Sequence, residues 1–151
     1  MNMRKGPIAA ATGLAVAGTL WMGGAAGAEV LDESCGSTGC SSSVNDSGTG
    51  ATAVFNWCLS SGTTGTLTTT EPTCGNQKTY WLSAGGGHTP WSEDWDTLRI
   101  DAGWCYKVKF TLPGQPDNTT RYDRRGKSAA WVKVEDFSDA HILAQSSSSC
   151  P

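Results

Sequence analysis

The stretch "HTPWSEDWD" brings His88, Trp91, Glu93, Asp94, Trp95 and Asp96 together, with Asp101 five residues on. Four acids, an imidazole and two indoles are the side chains of several chemistries. Glycoside hydrolysis needs two carboxyl groups set roughly 5–10 Å apart across a sugar. Glu93, Asp94, Asp96 and Asp101 supply acids, but adjacent acids on a turn are ordinarily solvated, or compensate a helix terminus. Asp94, Asp96 and Asp101 also suggest calcium ligands, yet the loop lacks the D-x-D-x-D-G order and its closing Glu. One His among scattered acids is a weak zinc set. No G-x-S-x-G elbow occurs, and His88 and His141 are the only imidazoles. His88 follows three glycines and reads as a loop residue; His141 reads as a strand residue. The expectation is therefore a non-enzymatic chain with no catalytic residue, metal or cofactor.

The remaining role for the stretch is docking. Thr89 can cap, and Pro90 can start, a single helical turn. On such a turn Trp91 and Trp95 are four apart and meet on one side. The same rings would serve as platforms for a sugar or an anchor for a protein.

The elements that must position these residues follow from the rest of the chain. Arg4 and Lys5 precede an apolar run from Ile8 to Met22, and Ala26-Gly27-Ala28 gives a small-x-small cleavage pattern. Residues 1–28 read as a secretory signal peptide, so the product is expected to be secreted and extracellular. Losing Arg4 and Lys5 leaves nine basic residues against 14 acids. That balance disfavours nucleic acid and anionic membranes as partners. Cys35, Cys40, Cys58, Cys74, Cys105 and Cys150 are an even set without a C-x-x-C pair, which in an exported chain reads as three disulfides. Many pairings are open to six cysteines; the local one joins Cys35 to Cys40, Cys58 to Cys74, and Cys105 to Cys150. Cys150 ends the run Ser146–Ser149, so its bridge would clasp an otherwise fraying tail.

Residues 29–50 hold Glu29, Asp32, Glu33 and Asp46 and no Lys or Arg, amid Gly, Ser and Thr. They read as an extended arm. Residues 51–151 read as an all-β domain: "ATAVFNWCL", "GTLTTT", "KTYWLSA", "DTLRID", "WCYKVKF", "AAWVKVED" and "AHILA" are about seven strands at the spacing of a disulfide-bonded β-sandwich. Alternation puts Trp104, Tyr106, Val108 and Phe110 on a core face, and aligns Phe55, Trp57 and Leu59. It puts Trp81 and Trp131 on the polar faces of their strands. "RYDRRGK" reads as a charged hairpin tip turning at Gly126, or as an acceptor for an acidic partner.

"EDWDTLRIDAGWCYKVKF", "RRGKSAAWVKVED" and the late Cys150 together resemble the adaptor subunits of secreted bacterial umbrella toxin particles, over roughly Trp81 to Pro151. The resemblance implies a β-sandwich adaptor that joins a large repeat-bearing toxin chain to a lectin subunit in an antibacterial complex. It also implies that the N-terminal arm docks on the lectin. The expected partner-binding residues are then Glu29, Val30, Leu31, Asp32 and Glu33 of the arm, with Trp91, Trp95 and Trp131 on the body. Two other roles fit the same residues: a carbohydrate-binding module using Trp81, Trp91, Trp95 or Trp131, and an inhibitor of an extracellular protease presenting the arm or the Gly85–Gly87 loop.

Overall fold

The structure is a computed structural model that describes Cys35 and residues 39–151. The signal-peptide segment and Glu29, Val30, Leu31, Asp32 and Glu33 lie outside the described residues. Among the described residues there are ten strands and no helix: β1 Ser42–Asn45, β2 Ala51–Val54, β3 Leu67–Thr68, β4 Thr79–Leu82, β5 Gly87–His88, β6 Thr97–Ile100, β7 Cys105–Thr111, β8 Asn118–Asp123, β9 Ala130–Lys133 and β10 Asp139–Ser146. They form two five-stranded sheets, β5-β1-β10-β7-β8 and β3-β9-β6-β2-β4. Every pairing is antiparallel except β1 with β10.

Alternation decides which side chains fill the space between the sheets. Ala51, Ala53, Leu98, Ile100 and Val132 from one sheet meet Tyr106, Val108, Phe110, Ala140 and Ile142 from the other in one buried cluster. The chain is thus the all-β, disulfide-bonded sandwich expected, and each of the seven expected stretches contains a strand. Trp104 packs at the margin of the core.

Three strands were not expected, and β1 changes the domain boundary. It falls within residues 29–50, the segment read as an arm. Ser42–Asn45 pairs with β10 in register from Ser42↔Asp139 to Asn45↔Ile142. Ser43 and Asn45 therefore share the inward face with Ala140 and Ile142, and both are buried. Polar residues are tolerated there because partners are built in. Asn45 Nδ2 donates to the carbonyls of Thr49 (2.8 Å) and Leu82 (3.1 Å), while its Oδ1 accepts from Ser47 Oγ (2.7 Å). The sandwich consequently starts near Ser41, ahead of the expected residue 51.

Trp57 is buried, as the core residue expected from its alignment with Phe55, but in a second cluster; Trp131 departs from expectation. Trp131 does point away from the main core, as alternation required. That outer face is not open: the loop after β2 folds over it, so Trp57, Trp131 and Val54 make a second buried cluster. Strand β2 ends at Val54, and the turn after it carries Trp57 out of the line of Phe55. Trp57 Nε1 donates to the Ser61 carbonyl at 2.7 Å, and Lys133 Nζ donates to the Gly62 carbonyl at 2.9 Å, which fastens the loop down. Trp131 is thereby removed from the expected partner-binding set.

Candidate binding face at the N-terminal end of the sandwich

The disulfides join Cys35 to Cys40, Cys58 to Cys74, and Cys105 to Cys150, with Cα–Cα separations of 5.0, 5.8 and 5.1 Å. The first closes a small ring just before β1. Cys35 Sγ lies 3.4 Å from the Trp91 carbonyl oxygen. Within the same ring, a Cβ on Gly39 would overlap the phenyl ring of Phe137. Trp91, through its carbonyl, and Phe137, through its ring, thus approach the disulfide ring from two different loops, and their side chains are 59% and 49% exposed. Phe137 holds this position at a φ of 65°, a left-handed backbone that a bulky side chain rarely adopts.

The Trp91–Trp95 stretch makes one turn but no helix. Glu93 N donates to the Pro90 carbonyl at 3.2 Å, after which Trp95 N reaches the Ser41 carbonyl and Asp96 N the Phe55 carbonyl. The chain has become extended, so the two indoles part. Trp91 stacks on His88, with ring centroids 4.3 Å apart. Trp95 turns inward and is 1% exposed, edge-on to Phe55 at 5.1 Å and to Tyr80 at 5.4 Å. Lys78 Nζ covers the Phe55 ring at 3.9 Å and pairs with Glu93 at 3.0 Å. Trp95 is therefore a core residue, which removes it too from the expected partner-binding set.

The acids divide as well. Asp101 sits apart, accepting from the Tyr106 hydroxyl at 2.8 Å and pairing with Arg99 at 3.2 Å. Asp94 and Asp96 are joined instead by Asp136, with a carboxylate oxygen from each within 4.8 Å of the others. Ser41 ties this cluster to the start of β1: its amide and its hydroxyl both reach Asp94 Oδ1 at 2.7 Å, and the hydroxyl lies 3.3 Å from Asp96 Oδ1. Burial, then Asp94, then Asp136 push the Asp96 pKa up to about 7. Three hard oxygen donors are the chemistry of a divalent cation site; without an ion they are a set of mutually repelling charges. Asp136 was missed because it lies 40 residues away, in the β9–β10 turn of "VEDFSD".

The basic stretch is engaged internally. Arg125 forks onto Asp123, with Nε 2.9 Å from Oδ1 and Nη2 2.7 Å from Oδ2, which holds the Asp123 carboxyl well below the usual range. Arg124 Nε donates to the Ser128 carbonyl at 2.8 Å, and Gly126 makes the turn at a φ of 66°. The stretch is a charged turn, as expected, but not a hairpin tip: β8 and β9 on either side of it belong to different sheets, so the turn carries the chain from one sheet to the other. No family model matches the chain, and neither the curated proteins nor the solved structures contain a match to it.

Proposed function

We propose that this chain is a secreted, non-enzymatic binding domain that links protein partners as an adaptor in an extracellular complex. The observation that carries the reading is the end of the sandwich where Trp91 and Phe137 flank the Cys35–Cys40 ring. Two large aromatic groups, each about half exposed or more, recover much of their hydration cost only when something covers them. A strained backbone at one of them is a feature that concentrates at functional sites. Residues 29–34, with Glu29, Asp32 and Glu33, precede Cys35 in the sequence, and the adaptor reading gives this acidic segment a second contact with the partner. Three disulfides suit an oxidising compartment. The likeness of Trp81–Pro151 to umbrella toxin adaptors supplies the class of partners: a lectin subunit and a repeat-bearing toxin chain.

The test is capture of partners by the tagged, secreted protein from its own culture medium, read by mass spectrometry. Trp91→Ala and Phe137→Asn remove the rings; Asn tolerates the left-handed backbone. Both variants, and deletion of 29–34, should lose the partners while melting like the parent. Undiminished capture by all three would overturn the reading.

A further inference from the structure

We propose a second binding site, a neutral-saccharide cleft, at the β4–β5 connection. It adjoins the Trp91–Phe137 face, since its His88 stacks on Trp91, but it does not depend on the adaptor reading. Strands β4 and β5 are the edge strands of opposite sheets and follow each other in sequence. The turn between them carries the chain from one sheet to the other. Between them lies a shallow cleft of about 380 Å³, lined by Tyr80, Trp81, Ser83, the Gly85–Gly87 turn and His88. That is the small end of the usual range for small-molecule sites, roughly 300–1,000 Å³, and suits one or two sugar rings.

Trp81 is the platform. It is 66% exposed, the most open of the large apolar side chains among the described residues. Its indole rests on Gly50, where a Cβ would overlap the six-membered ring. Gly50 has no left-handed φ to explain it; the close approach of the indole is what requires a glycine there. An aromatic ring braced on one side and open on the other is the form that stacks on the C–H face of a pyranose.

The remaining lining supplies neutral hydrogen-bonding groups. The Tyr80 and Ser83 hydroxyls make no side-chain hydrogen bond among the described residues. His88 Nδ1 lies 2.8 Å from the Thr89 carbonyl, which only an Nδ1–H can satisfy, and that leaves Nε2 as the ring nitrogen turned to other partners. Among the described residues no Asp, Glu, Lys or Arg lines the cleft, which disfavours phosphate, acidic sugars and charged peptides.

The cleft is also held ready. Gly85 N donates to the Ser47 carbonyl at 2.9 Å and Gly86 N to the Asn45 carbonyl at 2.7 Å. Asn45 Nδ2 reaches back to the Leu82 and Ser83 carbonyls. Gly85 and Gly86 have nothing where a side chain would stand, so bare backbone lets a ligand approach closely. A preordered site loses less entropy on binding.

The experiment is calorimetric and saturation-transfer titration of the secreted protein with neutral mono- to tetrasaccharides of glucose, galactose, mannose, xylose and N-acetylglucosamine, up to millimolar concentration. At least one series should bind. Trp81→Ala should weaken that binding on the order of tenfold or more, as loss of one stacking platform does, with unchanged melting. Trp81→Phe should retain part of it. Gly50→Ala keeps the indole but displaces it from its seat, and should weaken binding several-fold. Phe137→Asn, which tests the protein-docking face, should bind sugar like the parent, so the two proposals fail separately. Absence of binding across the series, or binding indifferent to Trp81→Ala, overturns the cleft.

Discussion

At the residue scale, Asp96 is an acid held where its charge is costly. Burial first, then Asp94 and Asp136, raise its pKa to about 7, against about 3.9 in an unfolded chain. Between those two values the folded protein keeps a proton that the unfolded chain has released. Stability from this group is therefore full below about pH 4, falls as pH rises to about 7, and is level above that. Asp96→Asn should raise stability at pH 8 by roughly 2 kcal/mol, after discounting about half of the full shift because part of the carboxyl remains in water. At pH 4 it should change little. Urea unfolding at both pH values checks this; an equal effect at both would show that the carboxyl titrates normally. The indoles give a second contrast. Trp95→Ala empties a fully buried site and should cost about 3–5 kcal/mol. Trp91→Ala, four residues earlier but open to solvent, should cost less than about 1 kcal/mol. Thermal melts of the pair decide it, and equal losses would place Trp91 in the core.

At the element scale, β1 is held by hydrogen bonds more than by apolar burial. Asn45 has no exposure and serves the carbonyls of Thr49, Leu82 and Ser83 together with Ser47. Asn45→Ala should cost about 2–4 kcal/mol, since several buried groups lose their partner at once. Hydrogen exchange should then show β1 and the Gly85–Gly87 turn opening before β7 and β10. Protection loss spread evenly over both sheets would deny β1 this local role. The same chemistry explains what could be read in advance. The seven stretches found from sequence carry aromatic or β-branched residues in alternation, and alternation survives burial of one face. "SSVN" in β1 and "NTTRYD" in β8 have no such contrast, because one buries hydroxyls and an amide and the other is a mostly polar edge. Alternation also correctly turned Trp131 away from the main core. It could not foresee that the loop carrying Trp57 covers that face, because a loop's return path is a tertiary matter. Trp91 and Trp95 failed as a pair for a related reason: spacing of four has meaning only while a helix continues, and here backbone bonds to Ser41 and Phe55 straighten the chain.

At the scale of the molecule, strand β10 sets two ends. Its first residue, Asp139, pairs with Ser42 beside the Cys35–Cys40 ring, while its last, Ser146, pairs with Cys105. Eight residues of strand separate these ends by roughly 25 Å. The tail beyond β10 is bound at the far end by Cys105–Cys150, by Arg121 Nε donating to the Pro151 carbonyl, and by Arg125 Nη1 donating to the Ser148 carbonyl at 3.2 Å. Chain entropy grades the crosslinks by the loops they close, with separations of 5, 16 and 45 residues. Replacing each pair by Ser should destabilise the fold by about 2, 3 and 4 kcal/mol in that order, on the loop-closure model. The two ends should also respond separately. The Cys105→Ser, Cys150→Ser double variant should lose the most stability yet capture partners like the parent at temperatures where it stays folded, because its crosslink is far from Trp91 and Phe137. The Cys35→Ser, Cys40→Ser variant should lose the least stability and yet lose capture, because the ring that contacts the Trp91 carbonyl and the Phe137 side chain is gone. Urea unfolding alongside the capture assay reads both quantities on the same samples. Loss of capture tracking loss of stability across the three pairs would mean that the binding face has no special place at the N-terminal end, and that the adaptor reading must look elsewhere on the surface.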